Sequence, residues 1–332
     1  MSPNAASEQQ DKPSLLFIAR SGLAGGVAGC VAKTVVAPLD RVKILFQASN
    51  PEYKKYAGSW SGAFRAVSEI YRQGGLRGVL QGHSATLLRV FPYAAIKFMA
   101  YDHVHHLLMP TRAQETNIRR FMAGAISGTL SVFCTYPLEV IRVRMAFHTR
   151  SQGSAAPRIS FLEAAKQIYH EGTTPLASSS PSNTPAAVSK TTGKNILDLY
   201  PVFKFYRGFT VTMIGMIPYA GVSFLSWGYL RAYFIPPSNK ATPVADLAIG
   251  AVSGAIAQTA SYPFEVTRRR MQVGGITRPD RWLRWGETVQ AIWQTSGWRG
   301  FYVGLSIGYL KIVPMTAVSY AVWQSGKHFL NS

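Results

Sequence analysis

Long apolar stretches, interrupted by scattered polar residues, make up most of the chain, and six of them predict helices. They cover residues 14–46, 80–108, 116–147, 207–234, 243–272 and 303–330. Each is longer than the ~20 residues that an α-helix needs to cross a bilayer. Mean hydropathy is only slightly positive, and no stretch of ~20 residues lacks polar positions. The pattern therefore fits either a soluble core or membrane helices that turn polar sides toward a shared interior.

Shorter segments separate the long helices. Amphipathic connecting helices fit residues 60–72, 160–170 and 285–295. A stretch near 173–192 is rich in Ser, Thr, Pro and Ala, so we expect a disordered insertion there. We also expect residues 1–13 to form a disordered tail, because they are polar. This segment contains acids and no arginine, so it resembles neither a secretory signal nor a transit peptide.

One motif occurs three times along the chain: proline, an apolar residue, an acid, two variable residues and a base. The copies are Pro38 to Lys43, Pro137 to Arg142 and Pro263 to Arg268. Glycine pairs precede each copy at Gly25/Gly29, Gly124/Gly128 and Gly250/Gly254, a spacing that lets helices approach closely in lipid. Glycines at 82, 208 and 304 start a second repeated element. The chain therefore consists of three helix-pair repeats, at 14–110, 111–236 and 237–332.

The three proline motifs resemble those of the mitochondrial carrier family, and the resemblance extends from Leu15 to Leu330. It implies an all-α membrane protein with six tilted transmembrane helices in three pseudosymmetric helix-pair repeats, joined by short matrix helices. It also implies a monomeric transporter, not an enzyme, in the mitochondrial inner membrane. Both termini would face the intermembrane space, and the proline motifs would face the matrix.

Charged residues inside membrane helices are costly unless paired, which makes the motif charges functional candidates. Threefold symmetry would place the motif acids at one depth beside the motif bases, and the resemblance supports a matrix gate of three ion pairs. The predicted pairs are Asp40 with Arg142, Glu139 with Arg268, and Glu265 with Lys43. Gln47 and Gln272 resemble the family's bracing residues, whereas Ala146 stands at the third such position. The alternative is that the prolines kink the helices and the charges cap helix ends.

The family's opposite, cytoplasmic gate is poorly represented in this chain. The corresponding positions include Asp102, Arg231, Gln324 and Lys327, with His105 where repeat one would carry a base. Because Asp102 is the one acid in this set, we expect a single strong ion pair, between Asp102 and Arg231. We therefore expect the cytoplasmic gate to close weakly.

The residue seven after each second-element glycine is predicted to lie at mid-membrane, at Arg89, Gly215 and Lys311. In the resembled family these positions contact the solute. Lys33 and Lys97 add positive charge, while Gly215 and Met216 followed by Tyr219 predict a slot with an aromatic wall for a planar base. Snorkelling of the basic side chains to lipid headgroups is the alternative for the four bases, and ordinary helix packing for Met216 and Tyr219.

Lysine and arginine outnumber aspartate and glutamate by 35 to 15, which gives a net charge of +20. This suits nucleic acid, an anionic bilayer or a polyanionic solute, but many of the bases lie within apolar helices, which argues against nucleic acid. Two cysteines give neither a disulfide framework nor a metal site, and no catalytic motif occurs.

Stretches 32–48 and 89–98, with the long second connection, resemble the family's coenzyme A carriers. The expected solute is coenzyme A or adenosine 3′,5′-bisphosphate. The alternative is a carrier of ATP-Mg and phosphate or of other adenine nucleotides. In the resembled family, cardiolipin binds as a structural lipid at the starts of the second helices of the repeats, and helix N-termini suit anions.

Overall fold

The computed structural model describes residues 15–111, 115–149, 159–171, 201–235, 243–277, 283–312, 314–319 and 321–322. Within these ranges all regular structure is helical. The α-helices are α1 (Leu15–Gln47), α2 (Trp60–Val79), α3 (His83–Leu108), α4 (Asn117–Phe147), α5 (Phe161–His170), α6 (Phe209–Phe234), α7 (Pro243–Thr277), α8 (Trp285–Ser296) and α9 (Leu305–Leu310). Short 3₁₀ helices occupy Lys54–Tyr56, Pro201–Tyr206 and Trp298–Tyr302.

The helices follow the apolar pattern of the sequence closely. The first five predicted long helices begin and end within a few residues of α1, α3, α4, α6 and α7, and the predicted connectors coincide with α2, α5 and α8. Three segments are long and apolar enough to cross a membrane, judged by length and composition: Ile118–Phe147, Pro201–Phe234 and Trp298–Ser319. The tail at 1–13 and the insertion at 173–192 lie outside the described residues.

A glycine stands directly before each of α3, α6 and α9. At these positions the backbone adopts a left-handed conformation against a neighbouring helix. Gly82, Gly208 and Gly304 have φ angles of 85°, 78° and 84°. An added Cβ at Gly82 would lie 3.0 Å from the carbonyl oxygen of Arg142 on α4, and one at Gly208 would lie 3.3 Å from that of Arg268 on α7. Both the conformation and the space favour glycine, which explains why it recurs at this place.

Residues 37–312 form one compact unit. Within it, α3 packs along α4 and α6 packs along α7. Val42 and Leu45 of α1 share a buried apolar cluster with Ile307 of α9 and with Ile70 of α2. In each case the second helix of one repeat packs on the first helix of the next.

The described residues 15–36, 314–319 and 321–322 belong to the other compact unit. Within its described side chains, Ala28, Ala32 and Val36 of α1 are buried, whereas Val31 and Val35 are exposed. The buried positions are four residues apart, which is the spacing of one helical face.

The glycine pairs do not lie at close helix contacts in this conformation. A Cβ added to Gly124 or Gly128 on α4, or to Gly250 or Gly254 on α7, would meet nothing within 4 Å. The expectation that this spacing brings helices together here is wrong for these two pairs. The close approaches of α4 and α7 are instead made by the left-handed glycines described above.

Candidate functional site

The motif acids and motif bases form three ion pairs, and each pair joins two different helices. Asp40 Oδ2 lies 3.4 Å from Arg142 Nη2, which connects α1 to α4. Glu139 Oε1 lies 3.1 Å from Arg268 Nη2, which connects α4 to α7. Glu265 Oε1 lies 2.8 Å from Lys43 Nζ, which connects α7 back to α1. The three pairs therefore form a closed circuit through α1, α4 and α7, an arrangement that capping of helix ends does not produce.

Three further bases contact the acids of this circuit. Arg89 of α3 forms an ion pair with Glu139, and Arg269 Nη1 donates to Glu139 Oε1 at 2.7 Å. Lys311, directly after α9, donates to Asp40 Oδ1 at 2.9 Å. We call these nine residues the ion-pair cluster: Asp40, Glu139, Glu265, Lys43, Arg89, Arg142, Arg268, Arg269 and Lys311.

The ion-pair cluster is positively charged and largely removed from water. Its six bases face three acids, a surplus of three positive charges. The side chain of Glu139 is 2% exposed and that of Lys43 is 6% exposed. The Nε atoms of Arg268 and Arg269 are buried without a hydrogen-bond partner. Because burial of unbalanced charge is costly, this site favours an incoming anion.

Arg89 and Lys311 were predicted to bind solute, and in the structure both hold a gate acid. Their side chains are 22% and 23% exposed. Arg89 also lies over the ring of Tyr93, with its Cζ 5.5 Å from the ring centroid. In this conformation each of the two bases reaches the acid on the next repeat.

Gly215 does not open onto an empty slot. A Cβ at this position would lie 2.8 Å from the Cβ of Phe264, the residue between Pro263 and Glu265. The glycine therefore permits close packing of α6 on α7. Met216 and Tyr219, on the same helix, are 39% and 46% exposed.

The other two predicted solute-binding bases, Lys97 and Lys33, are not among the nine residues of the ion-pair cluster. Lys97 of α3 is exposed and stands two turns beyond Arg89. Lys33 is partly buried near the middle of α1, in the compact unit that also contains Ala32 and Val36.

Two glutamines brace the circuit through tyrosines that precede the motif prolines. Gln47 Nε2 donates to the hydroxyl of Tyr262 at 2.9 Å, and Gln272 Nε2 donates to that of Tyr136 at 3.1 Å. All four side chains are fully buried. Sequence reasoning identified the glutamines but missed the tyrosines, although each stands directly before a motif proline.

A second buried charge cluster, at the ends of α4 and α5, involves the second repeat. Glu171 Oε2 lies 2.9 Å from Arg144 Nη2 and 3.3 Å from Arg207 Nη2. The Glu171 backbone carbonyl also accepts from Lys204 Nζ at 2.5 Å. Sequence reasoning missed Arg144, whose signal is a base two positions after the motif base. Repeat one has Leu45 there, so this cluster has no copy in that repeat.

The residues of the predicted cytoplasmic gate are not brought together. Arg231 Nε lies 3.7 Å from Asp246 Oδ1, which joins the end of α6 to the start of α7. Asp102 is exposed, and no ion pair in the described part of the chain includes it. The expected pair between Asp102 and Arg231 is therefore not formed here, because an acid on the adjacent helix takes its place. Gln324 and Lys327 lie outside the described residues.

Comparison with known proteins supports the interpretation of the repeats. The family described as "Mitochondrial carrier protein" matches at residues 15–112, 113–184 and 239–332. The chain is 42% identical to an uncharacterized mitochondrial carrier, C17H9.08, of Schizosaccharomyces pombe, over 99% of each chain. It is 40% identical to the mitochondrial carrier protein LEU5 of Saccharomyces cerevisiae, covering 96% of this chain and 92% of that one. It is 34% identical to the mitochondrial carrier protein CoAc2 of Zea mays, covering 95% and 88%.

Three matches to one family at the three predicted repeats, together with relatives aligned over nearly their whole length, establish the kind of protein. The ion-pair circuit links the same motif in each repeat. The chain therefore belongs to the mitochondrial carrier family and is a multi-pass transport protein of the mitochondrial inner membrane, not an enzyme.

Proposed function

We propose that this carrier moves an adenine-containing polyanion, coenzyme A or adenosine 3′,5′-bisphosphate, across the inner membrane by alternating access. The observation that carries the proposal is the surplus of three positive charges in the ion-pair cluster. A buried site with this surplus favours a solute that carries several negative charges.

In this proposal the chain crosses the membrane six times, with the proline motifs facing the matrix and both termini facing the intermembrane space. Three segments already have the length and hydropathy of spans. The remaining long helices carry the polar residues that would face the solute path, which lowers their mean hydropathy. We expect the carrier to function as a monomer, and cardiolipin to bind as a structural lipid at the helix N-termini after Gly82, Gly208 and Gly304.

In this proposal, the conformation described here is the one in which the matrix gate is closed. The three pairs of the circuit, Asp40 with Arg142, Glu139 with Arg268 and Glu265 with Lys43, hold α1, α4 and α7 together. Exposed ion pairs contribute ~0–1 kcal/mol, and buried ones lose more to desolvation. A solute that binds more tightly to the open state of the gate than to the closed state can therefore shift the equilibrium between them toward the open state.

The proposed solute contacts divide into phosphate-binding and base-binding residues. Arg89 can hold a phosphate with two parallel hydrogen bonds, whereas Lys311 acts as a point charge. Lys33 and Lys97 supply further charge, and the exposed Met216 and Tyr219, next to Gly215, would stack on adenine. The maize relative has the name CoAc2, which contains the abbreviation of coenzyme A, and it supports the choice of solute.

The test is uptake by liposomes that contain the purified protein. Labelled coenzyme A, adenosine 3′,5′-bisphosphate, ATP and ADP are compared at equal concentration. We expect coenzyme A or the bisphosphate to be taken up fastest, and Arg89→Ala or Lys311→Ala to abolish uptake, because each removes a proposed phosphate ligand. Preferred ATP–ADP exchange would contradict the choice of solute and would favour an adenine nucleotide carrier.

A further inference from the structure

Glu139 is the most heavily contacted acid of the ion-pair cluster. Arg268 and Arg269 both contact its Oε1, at 3.1 Å and 2.7 Å. Arg89 contacts its Oε2, and Arg142 Nη1 lies 3.9 Å from the same oxygen. One carboxylate, 2% exposed, thus neutralises part of the charge of four guanidinium groups.

Arg269 has no role in the three ion pairs predicted from the motif. It lies one position after the motif base Arg268, is 9% exposed and also donates to Gln272 Oε1 at 3.0 Å. Its Nε is buried without a partner. A guanidinium group has five N–H donors, and two of the recorded contacts use the same Nη1. The side chain therefore has donors left for a further acceptor.

The three acids differ in how many bases they hold. Asp40 holds Arg142 and Lys311, and Glu139 holds Arg268, Arg269 and Arg89, with Arg142 more distant at 3.9 Å. In the described part of the chain, the ion pair recorded for Glu265 is with Lys43. The position in repeat two that is equivalent to Arg89 and Lys311 is Gly215, which supplies no base. The Cβ of Phe264 lies 2.8 Å from where a Cβ of this residue would be.

We propose that Arg269 is a further solute-binding residue and that Glu139 occupies the place of the solute's phosphates while the site is empty. A phosphate group that enters the cluster competes with Glu139 for Arg269 and Arg89. Once it takes over these guanidinium groups, the contact between Arg269 and Glu139, which also joins α7 to α4, is lost. Solute binding then opens the circuit first between α4 and α7. The identity of the solute rests on the proposed function, but the competition requires only a polyphosphate.

Charge balance supports this exchange. Phosphate oxygens accept the same paired N–H donors as a carboxylate, and a diphosphate carries more charge than Glu139. A diphosphate therefore neutralises the surplus that one carboxylate leaves. Glu265 has fewer bases in contact: Gly215 supplies none, and among the described residues Lys43 is the base recorded within ion-pair distance of it.

The experiment measures binding of inorganic tripolyphosphate to the purified full-length protein in detergent by titration calorimetry. Glu139→Gln removes the competing negative charge, so we expect it to bind tripolyphosphate about tenfold more tightly than the unaltered protein. Arg269→Gln removes the proposed ligand and should bind about tenfold more weakly, while Arg269→Lys should retain part of the affinity. The control is Arg72→Gln on α2, a side chain that is 77% exposed and whose recorded ion pair is with Glu69, outside the ion-pair cluster, with no expected change.

If Glu139→Gln binds tripolyphosphate no more tightly than the unaltered protein, the competition is refuted. If Arg269→Gln binds as tightly as the unaltered protein, Arg269 is not a ligand. The unliganded melting temperature of each variant shows whether it has folded. If Arg269→Gln does not fold, Glu139→Gln is compared with the double variant Glu139→Gln/Arg269→Gln, which must lose the gained affinity. Tripolyphosphate contains no adenine, so a failure of coenzyme A uptake and a failure of this competition are separate results.

Discussion

The contact between Gly215 and Phe264 shows how one residue decides the asymmetry of the site. At the equivalent positions of the other repeats, Arg89 and Lys311 reach the acid of the following repeat. At Gly215 the side chain is missing, and Phe264 lies where a Cβ would be. The glycine therefore has two consequences, close packing of α6 on α7 and the loss of a third base.

Gly215→Ala tests the packing role of this glycine. The new Cβ would lie 2.8 Å from the Cβ of Phe264, so α6 or the phenylalanine must move. We expect the free energy of unfolding to fall by about 1–3 kcal/mol, measured by thermal unfolding in detergent. The matched control is Gly221→Ala on the same helix, where an added Cβ meets nothing within 4 Å. Equal stability of the two variants would contradict the packing argument.

Much of the ion-pair cluster could be predicted at the level of single residues. The pairs of Asp40 with Arg142, Glu139 with Arg268 and Glu265 with Lys43 follow from a motif that repeats in register. Arg269 could not be predicted in the same way, because the other repeats have Ile44 and Val143 after the motif base. Repetition identifies shared contacts, whereas a contact found in one repeat depends on how neighbouring side chains fill the space.

At the scale of helices, the braces occur as matched pairs of residues. Gln47 on α1 meets Tyr262 on α7, and Gln272 on α7 meets Tyr136 on α4. The third pair, between α4 and α1, would consist of Ala146 and Ala37, and both are buried alanines. Both partners of the hydrogen bond are therefore missing at this junction, so no buried polar group is left without its partner there.

Tyr262→Phe tests whether a brace stabilises its junction. The variant removes the hydroxyl that accepts from Gln47 and donates to the Val303 carbonyl at 3.1 Å, and it leaves Gln47 buried without that partner. We expect a loss of about 1–3 kcal/mol in the free energy of unfolding. Tyr302→Phe is the control, since the Tyr302 ring stacks on Tyr262 with centroids 6.2 Å apart. Similar losses in both variants would argue against a specific role of the brace.

The second buried cluster shows the opposite kind of asymmetry between elements. Glu171 holds Arg144 and Arg207, so α4, the end of α5 and the start of α6 are joined by charge in repeat two. The corresponding junction of repeat one has Leu45 and Gln73, and Tyr53 donates its hydroxyl to Gln73 Oε1 at 3.2 Å. Burial raises the pKa of Tyr53 to about 12, so this donor stays protonated at neutral pH. In repeat one, a hydrogen bond between two uncharged side chains therefore stands where repeat two has ion pairs.

Considering the whole molecule, helix positions were more predictable than helix contacts. The apolar pattern placed the long helices within a few residues of their ends, because burial along a helix has a regular period. The glycine pairs on α4 and α7 suggested close packing that the structure does not show. A small residue permits a close approach, but which face of the helix is used depends on the conformation of the entire carrier.

We propose that the two ends of the carrier differ in how firmly they can close. The end at the proline motifs has nine charged residues that each take part in an ion pair, whereas Asp102 at the other end is exposed and Arg231 is already paired with Asp246. If the carrier alternates, Asp102 contributes to the state in which the outer end is closed. An exposed pair contributes ~0–1 kcal/mol, so its loss should have a small effect on transport.

Asp102→Asn tests this difference directly in the liposome assay. We expect uptake to slow by less than about fivefold, because the change removes at most one exposed ion pair. The melting temperature of the purified variant should equal that of the unaltered protein, since Asp102 forms no ion pair in the described part of this conformation. Complete loss of uptake with an unchanged melting temperature would show that the outer closure depends on Asp102. That result would contradict the proposal that the outer end closes more weakly than the end at the proline motifs.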